Sequence, residues 1–377
     1  MEQIIRLGAL WILFVTGCAT RTEPPPVKPQ APERTARKTA AGTEARESPV
    51  KKAGPAVKRA DDPLQKMIGV NLAGGEFGKL PGRFGKEYIY PNAKQFAYYR
   101  SKGMVVVRLP FKWERIQREA MGPLDEDEIK RLDAVAALAC EHGMALLLDM
   151  HNYAYYQGKL IGSPELPDKA FADVWRKLAG HFKDEKGVWA YGLMNEPKDT
   201  KGRWRASAQA AVDAIRTVDR KHSICVCGEG WSGAHSWKKI NSRFLLHDPE
   251  DRLIYEAHQY FDRDNSGTYK QGYDQSGAHP DIGVERLKPF AEWLRENDAR
   301  GFIGEFGVPA EDRRWLEVLD RFLAEMERGG IGGAYWAGGP WWGKYPLAIE
   351  PKDGQDRPQM KVLGKYFDSK AGRTRRP

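Results

Sequence analysis

From residue 63 onward, short apolar runs alternate eight times with amphipathic stretches, and this alternation constrains the fold more than any other feature of the chain. Several runs are almost continuously apolar, as in Val105-Val106-Val107 and Leu146-Leu147-Leu148. That pattern is typical of parallel strands that are buried on both faces. The eight runs cover residues 67–72, 104–109, 144–150, 189–194, 223–227, 253–258, 301–306 and 332–336.

The stretches between the runs have the periodicity of helices. In residues 125–142, for example, Ile129 and Leu132 recur at helical spacing, and Gly143 is placed to end the helix. Eight strand–helix alternations over about 300 residues predict an α/β protein with a (β/α)8 TIM barrel. The alternative is an open doubly wound sheet, but the glycine pair at 74–75 is too weak a match to its phosphate turn. Further helices are predicted over 169–183, 206–219, 284–296 and 314–327.

The N-terminus has the features of an export signal. Arg6 precedes an apolar run over residues 7–15, which has the length of a signal-peptide core and is too short to span a bilayer. The run ends in Val15-Thr16-Gly17-Cys18, which resembles the bacterial lipobox, in which small residues precede a cysteine that is lipidated. We therefore predict a lipoprotein signal peptide over 1–17 and a lipid anchor at Cys18. An uncleaved anchor and an ordinary signal peptide are the alternatives.

The residue after the cysteine bears on location. Ala19 stands where many lipoproteins that stay in the inner membrane have an aspartate, so we expect an exported protein anchored in the bacterial outer membrane. Either the periplasmic or the cell-surface face is compatible with this sequence. More than one acyl chain on Cys18 would hold the protein firmly, because a single chain binds a membrane only marginally.

Residues 18–62 are predicted to be the lipidated cysteine and a disordered linker that precedes a folded domain at 63–377. The linker is rich in Pro, Ala and Lys and has no aromatic residue, so it can bury too little to offset the entropy of ordering. Residues 19–62 hold 10 Lys/Arg against 6 Asp/Glu, which accounts for +4 of the net charge of +9. The remainder contains no basic run or basic helix, so we expect no nucleic-acid partner.

Three cysteines remain once Cys18 is set aside. Cys140, Cys225 and Cys227 are odd in number and therefore predict no closed disulfide framework. The chain has no CxxC motif, so a structural zinc site is not expected. We interpret the three residues as buried free thiols.

Polar residues stand at the ends of the predicted strands, where a (β/α)8 barrel places its active site. Glu196 follows the fourth run and Glu305 lies in the seventh, which puts two acids on opposing sides of the barrel mouth. Such a pair can cleave a glycosidic bond if one carboxyl protonates the leaving oxygen and the other attacks the anomeric carbon. The other polar residues at strand ends are Asn71, Arg108, Asp149, His151, Asn152, Asn195, His258 and Tyr260.

Taken alone, each of these residues is also compatible with a purely structural role. A glutamate or an arginine at a strand end is often part of a buried ion pair, and a histidine is often a core residue. Taken together at one rim, they favour catalysis. Arg108 is suited to keep Glu305 ionised, because a nearby cation lowers the pKa of a carboxylate. Asn195 could bond a sugar hydroxyl, while His258 and Tyr260 could orient the nucleophile or the sugar.

Two motifs carry a family resemblance. Asn195-Glu196-Pro197 follows a strand, and Gly304-Glu305-Phe306-Gly307 comes about 110 residues later. Together they resemble glycoside hydrolase family 5. Further segments resemble its endoglucanase branch, subfamily 5, and these are residues 69–78, 88–91, 107–111, 149–153, 233–237, 258–262, 264–268 and 340–343.

The resemblance implies a retaining glycoside hydrolase that uses neither a metal nor another cofactor. Glu196 matches the acid/base of the family and Glu305 its nucleophile. The branch implies an endo-β-1,4-glucanase, with a β-1,4-linked glucan as substrate, and we expect a monomer. The same mechanism on mannan, xyloglucan or mixed-linkage glucan stays open, as does a non-catalytic glycan-binding lipoprotein. The surrounding residues that match the family are Arg108, His151, Asn195, His258, Tyr260 and Trp336, and we add Asn152 as a supporting residue.

Aromatic side chains are expected to form the sugar-binding subsites, since the flat C–H faces of sugar rings stack on aromatic rings. Trp336 is predicted to lie beside the cleavage point. Glu229 departs from the family pattern, which has a neutral polar residue there. Rim aromatics expected to line further subsites are Trp231, Trp237, Trp341, Trp342, Tyr153 and Tyr156, whereas Trp175, Trp189, Trp293 and Trp315 are expected to pack in the core.

Overall fold

Eight parallel strands close into a barrel in which each strand pairs with its two neighbours in sequence. The computed structural model describes residues 67–367. The first and last strands close the barrel by pairing Val70 with Tyr335. The predicted (β/α)8 barrel is therefore confirmed. The strands are β1 (Ile68–Leu72), β2 (Val106–Phe111), β3 (Ala145–Met150), β4 (Val188–Gly192), β5 (Ser223–Cys227), β6 (Leu253–His258), β7 (Gly301–Phe306) and β8 (Gly332–Gly338).

Helices cover the outside of the barrel. They are α1 (Ala93–Ser101), α2 (Glu126–Glu141), α3 (Asp168–Phe182), α4 (Trp204–Arg216), α5 (Trp237–Asn241), α6 (Ile282–Glu296), α7 (Arg314–Gly329) and α8 (Pro358–Leu363). Shorter elements are a one-turn helix (Trp113–Ile116), 3-10 turns (Ala234–Ser236 and Pro340–Trp342) and a small hairpin that pairs Tyr155–Tyr156 with Lys159–Leu160.

The sequence pattern did not reveal α1. Only Phe96 and Tyr99 form its buried apolar face, which is too little for a clear helical period. Its start is set by a capping box, in which the side chain of Asn92 accepts from the backbone of the first turn and the side chain of Gln95 accepts in return from the backbone of Asn92. Local capping therefore compensates for the weak apolar pattern.

A layer of apolar side chains fills the barrel below its mouth. Seven strands contribute one residue each to it. On β1 the matching position, Gly69, pairs with Val106, and a Cβ on Gly69 would lie only 2.0 Å from the carbonyl oxygen of Val106. The layer is a closed floor, as in other barrels of this kind. Its members are Val106, Leu147, Ala190, Cys225, Ile254, Phe302 and Ala334.

The cysteine prediction is only partly right. Cys225 and Cys227 are buried free thiols, but Cys140 is exposed. The reason is helical geometry, since Ala136 and Ala139 face the barrel from α2 and Cys140 falls on its outer side. Within residues 67–367, no helix is long and apolar enough to cross a membrane. The predicted signal peptide at 1–17, the lipidated Cys18 and the linker at 18–62 lie outside the described residues.

Candidate active site

The polar residues of the site form the layer directly above the apolar floor. Side chains two positions apart on a strand share a face, so each floor residue is followed by a residue that also points into the barrel. Val106 is thus followed by Arg108, and Ile254 by Glu256. In the sequence, this change from apolar to polar is visible where a charged residue such as Arg108 or Glu256 lies inside an otherwise apolar strand. The members of this second layer are Asn71, Arg108, Asp149, Cys227, Glu256 and Trp336, with glycines at 192 and 304.

Arg108 is the centre of the second layer and is completely buried. Its guanidinium is surrounded by carboxylates, and a buried ion requires such charge partners. Nη1 donates to Glu305 Oε1 at 3.1 Å and to Asn71 Oδ1 at 2.9 Å. Nη2 donates to Asn195 Oδ1 at 2.7 Å. The contacts of Nη2 with Asp149 Oδ1 (3.0 Å) and of Nε with Glu256 Oε1 (2.8 Å) are ion pairs without hydrogen-bond alignment.

His151 connects two of these residues. Its Nδ1 lies 2.8 Å from Asp149 Oδ2, and its Nε2 lies 3.2 Å from the amide nitrogen of Asn195. Burial lowers the pKa of His151 well below its ordinary value, so the ring is neutral. The contacts then assign the proton to Nδ1, which donates to Asp149, while Nε2 accepts from Asn195. The amide of Asn195 is thereby held between Arg108 and His151.

The two candidate catalytic carboxylates meet across the mouth. Tyr260 donates to Glu305 Oε2 at 2.8 Å. His258 Nδ1 lies 3.0 Å from Glu196 Oε1 and 3.6 Å from Glu305 Oε2. One oxygen of each glutamate and a ring nitrogen of His258 all lie within 4.8 Å of one another. Arg108 and Tyr260 thus donate to different oxygens of Glu305 and hold its carboxyl group in place.

The backbone places both glutamates. On β7 the register with β6 shifts between Ala257 and His258, so that His258 pairs with Glu305. This irregularity turns Glu305 into the mouth although Phe302 already points inward. Glu196, just beyond β4, has a φ of 43°, in the left-handed region that side chains other than glycine rarely adopt. Such strained positions are concentrated at functional sites.

His258 is a cation shared by three carboxylates. Burial acts to lower its pKa, but the charge of Glu305 and hydrogen bonds to Cys227, Glu196 and Glu256 raise that pKa well above the ordinary value. Two groups of potential metal ligands include this ring, namely Glu196 with Glu305 and Cys227 with Glu256. In the part of the chain that the structure describes, Glu196 and Glu256 lie within hydrogen-bond distance of the two nitrogens of this ring.

One wall of the mouth is aromatic and includes three of the predicted residues. Trp336 stacks on His151 with ring centres 5.6 Å apart and an interplanar angle of 19°. Trp342 packs edge-on against Trp336 at 5.6 Å and stacks on Tyr345 at 4.5 Å. Trp341, which is 39% exposed, lies beside them in a 3-10 turn. This wall offers flat apolar surface next to the two carboxylates.

A second aromatic group lies beyond Glu196. Tyr153 and Trp231 contact each other edge-on with ring centres 5.8 Å apart. Lys198 places its ammonium 4.4 Å from the centre of the Trp231 ring. Tyr153 and Trp231 both have positive φ, at 57° and 62°, which residues other than glycine rarely adopt. The backbone of Glu229 is fixed nearby by both polar atoms of the Asn241 side chain.

Two of the expected subsite aromatics are core residues. Trp237 is fully buried against Phe290, with ring centres 4.6 Å apart. Tyr156 is buried against Trp113 at 4.3 Å, and its hydroxyl donates to the carbonyl of Gln117. Both residues stand in segments predicted as rim loops, but their side chains turn down between the helices. The prediction that they contact sugar was wrong for this reason.

Asn152 supports the loop around it and does not face the mouth. Its Oδ1 accepts from the backbone N–H of Trp113 at 2.9 Å. Its Nδ2 donates to Glu114 Oε2 at 2.8 Å and to the carbonyl of Tyr155 at 3.0 Å. A buried asparagine with these bonds has little capacity left for a ligand. We therefore interpret Asn152 as a supporting residue that anchors this loop.

Sequence reasoning missed Glu256. This carboxylate is buried inside β6, where it looked like an isolated polar residue in an apolar run. A usable signal existed, because Glu256 and His258 are two positions apart and must share a strand face. Against the effect of burial, Arg108 and His258 lower the pKa of Glu256. It is therefore an ion below the two catalytic candidates.

Comparison with known proteins agrees with this geometry. Residues 62–341 match the model of the family described as Cellulase (glycosyl hydrolase family 5). The endo-β-1,4-glucanase B of Aspergillus niger is 35% identical over 293 residues, which cover 76% of this chain and 86% of that protein.

Solved structures are also similar. A structure of Pseudomonas stutzeri endoglucanase Cel5A in complex with cellobiose has a TM-score of 0.78 and 46% identity, covering 80% of this chain and 92% of that one. A structure of the endo-β-1,4-glucanase Xac0029 from Xanthomonas axonopodis pv. citri has a TM-score of 0.76 and 40% identity, covering 80% and 98%. The protein is a glycoside hydrolase, and its chain belongs to glycosyl hydrolase family 5.

Proposed function

We propose that the protein is a retaining endo-β-1,4-glucanase, with Glu305 as nucleophile and Glu196 as acid/base. The spacing of the two carboxylates carries this proposal. Oxygens of Glu196 and Glu305 lie within 4.8 Å of each other. Retaining enzymes hold their carboxyl groups about 5–5.5 Å apart, whereas inverting enzymes leave about 6.5–9.5 Å for a water molecule.

In the first step, Glu305 attacks the anomeric carbon while Glu196 transfers its proton to the departing glycosidic oxygen. The bond between the anomeric carbon and that oxygen breaks, and an ester joins the sugar to Glu305. In the second step, Glu196 takes a proton from water as the water oxygen attacks the same carbon and the ester bond to Glu305 breaks. Two inversions at one carbon retain its configuration.

The surrounding residues have distinct parts in this scheme. Arg108 and Tyr260 each donate to a different oxygen of Glu305 and so fix the position of the attacking carboxylate. Asn195 is held between Arg108 and His151 and is placed to bond a sugar hydroxyl. Trp336 offers its ring to the sugar beside the cleavage point.

The proposed substrate is a β-1,4-linked glucan. It is supported by the names of the Aspergillus niger and Xanthomonas axonopodis relatives and by the cellobiose in the Pseudomonas stutzeri structure. Two aromatic groups, which contain Trp336 and Tyr153 and both contact the ring of His151, suit a chain of flat sugar rings at the mouth. Mannan, xyloglucan and mixed-linkage glucan remain the alternative substrates of the same mechanism.

The decisive experiment measures hydrolysis by the full chain and by Glu305→Ala. The substrates are carboxymethyl-cellulose, mixed-linkage β-glucan, glucomannan, xyloglucan and xylan. We expect activity on the first two, a rapid fall in viscosity, products that initially keep the β-configuration by NMR, and loss of all three in the variant. No hydrolysis of any substrate by a folded chain would refute the proposal and favour a glycan-binding role. Inverted products would refute the retaining mechanism alone.

We also propose that Cys18 is lipidated and anchors a monomer in the bacterial outer membrane. The support is the apolar run at 7–15 and the Val15-Thr16-Gly17-Cys18 sequence. Mass spectrometry of the N-terminal peptide would detect the acyl chains, and Cys18→Ala should release the protein from the membrane fraction. Protease treatment of intact cells would distinguish a surface location from a periplasmic one.

A further inference from the structure

We infer that Glu256 is a positioning residue for catalysis, which holds Arg108 and His258 in the places from which both reach Glu305. This inference rests on the proposed role of Glu305 as nucleophile. Glu256 lies on β6 below the mouth and is 1% exposed, so it can act on a substrate only through its neighbours.

The contacts converge on a single oxygen atom. Glu256 Oε1 lies 2.8 Å from Arg108 Nε and 3.1 Å from His258 Nε2. Each of these cations turns another nitrogen toward Glu305, with Arg108 Nη1 3.1 Å from Oε1 and His258 Nδ1 3.6 Å from Oε2. Glu256 thus lies on the far side of the two cations that contact the nucleophile. A change in its position or charge must be transmitted to both oxygens of Glu305.

Glu256 also contributes to the protonation of His258. The imidazole has Glu256 at Nε2 and Glu196 at Nδ1, the latter at 3.0 Å. A neutral imidazole has one N–H and can donate to only one of them, whereas an imidazolium donates to both. Glu256 therefore favours an imidazolium that stays in contact with Glu196 while that residue loses and regains its proton.

The chain makes room for this carboxylate with a glycine on the neighbouring strand. A Cβ added to Gly304 would lie 1.9 Å from Glu256 Oε1 and 2.6 Å from its carboxyl carbon. Gly304 directly precedes Glu305 on the neighbouring strand β7. The glycine beside the nucleophile is thus required by the carboxylate below it. This steric observation is independent of the charge argument.

Other ionisable groups also face this network. Asp149 on β3 shares Arg108, and Cys227 on β5 contributes a thiol next to His258. Burial and the charge of Glu256 raise the pKa of Cys227 to about 11, so the thiol is neutral. Asp149 is bonded to His151 and does not touch His258 through any contact found in residues 67–367. Glu256 is therefore the carboxylate that links Arg108 with His258 from below.

The test compares the full chain with Glu256→Gln, which keeps the shape of the side chain and removes its charge. We expect kcat on a soluble glucan to fall on the order of 10²-fold, as small displacements of reacting groups can cause. KM should change little, because Glu256 contacts no sugar. The NMR titration of His258, assigned by its loss in His258→Asn, should move to lower pH, and the pH–rate profile should change with it.

Asp248→Asn is the matched control. The side chain of Asp248 is 1% exposed, like that of Glu256, and pairs with Arg216 at 2.7 Å, but Asp248 precedes β6 at the opposite end of the barrel. It should lower Tm and leave kcat and the His258 titration unchanged. A second variant, Gly304→Ala, displaces Glu256 without removing its charge and should also lower kcat. It provides the test if Glu256→Gln does not fold.

Two results would overturn the inference. One is a Glu256→Gln enzyme with the kcat and His258 titration of the parent. The other is a loss of activity that only follows Tm, as in Asp248→Asn. Failure of the proposed function is a separate outcome, since a parent chain that hydrolyses no glycan would still reveal through the His258 titration whether Glu256 holds the imidazolium.

Discussion

Replacing Arg108 with lysine would preserve a positive charge below the mouth and remove the planar shape that distributes it. The guanidinium contacts five side chains at 2.7–3.1 Å through three nitrogen atoms. A lysine ammonium is a single point with three donors and cannot reach Glu305, Asn195 and Glu256 together. We therefore expect the lysine ammonium to pair with some of these side chains and to leave the others without a charged partner.

The geometry sets the magnitude. At 3.1 Å, with an effective dielectric constant of about 20, one pair of unit charges interacts by roughly 5 kcal/mol. Breaking a buried pair typically costs about 3–5 kcal/mol in stability. Because lysine retains part of the interaction, we expect the free energy of unfolding to fall by about 2–3 kcal/mol. If a similar free energy is lost from the transition state, kcat falls by roughly 30- to 200-fold.

The assay combines thermal unfolding with kcat and KM on a soluble β-1,4-glucan. Arg216→Lys, in the buried pair with Asp248, should lower Tm without changing kcat. A kcat of Arg108→Lys within about threefold of the parent, where a loss of at least 30-fold is expected, would refute the argument.

Three further outcomes follow from the structure. Trp336→Ala should lower kcat/KM by roughly tenfold, because a stacked ring contributes about 0.5–1.5 kcal/mol beyond its buried area; unchanged kinetics on cello-oligosaccharides would contradict its role as sugar platform. Burial raises the pKa of Glu76 to about 7, so its charge costs stability as pH rises from about 4.5 through 7, and Glu76→Gln should raise Tm at pH 8 but not at pH 4. An equal change in Tm at both pH values would contradict this sign. In the folded protein a thiol reagent should modify Cys140 quickly and reach Cys225 and Cys227 only after unfolding, since burial raises the pKa of both inner thiols. Mass spectrometry of the labelled peptides checks this, and rapid labelling of either inner thiol would count against it.

The sequence by itself determined the barrel and the meeting of its strand ends. Short, near-continuous apolar runs that alternate with amphipathic helices are typical of strands covered on both faces, and parallel strands bring their C-terminal ends to one rim. Glu196 and Glu305 could therefore be placed together although they are far apart in the chain. The expected partners Arg108, His258 and Tyr260 are observed beside them for the same reason.

The tertiary structure decided which way side chains turn and which charges they meet. Trp237 and Tyr156 stand in irregular segments, where no period predicts orientation, and only packing between helices shows that they are buried. The spacing of Glu256 and His258 is a local signal, but the pairing of Glu256 with Arg108 is not, since Arg108 comes from another strand. The register shift that turns Glu305 into the mouth depends on the pairing of two strands. Periodicity is a local property of the chain, whereas ion pairing, packing and register arise only when distant segments meet.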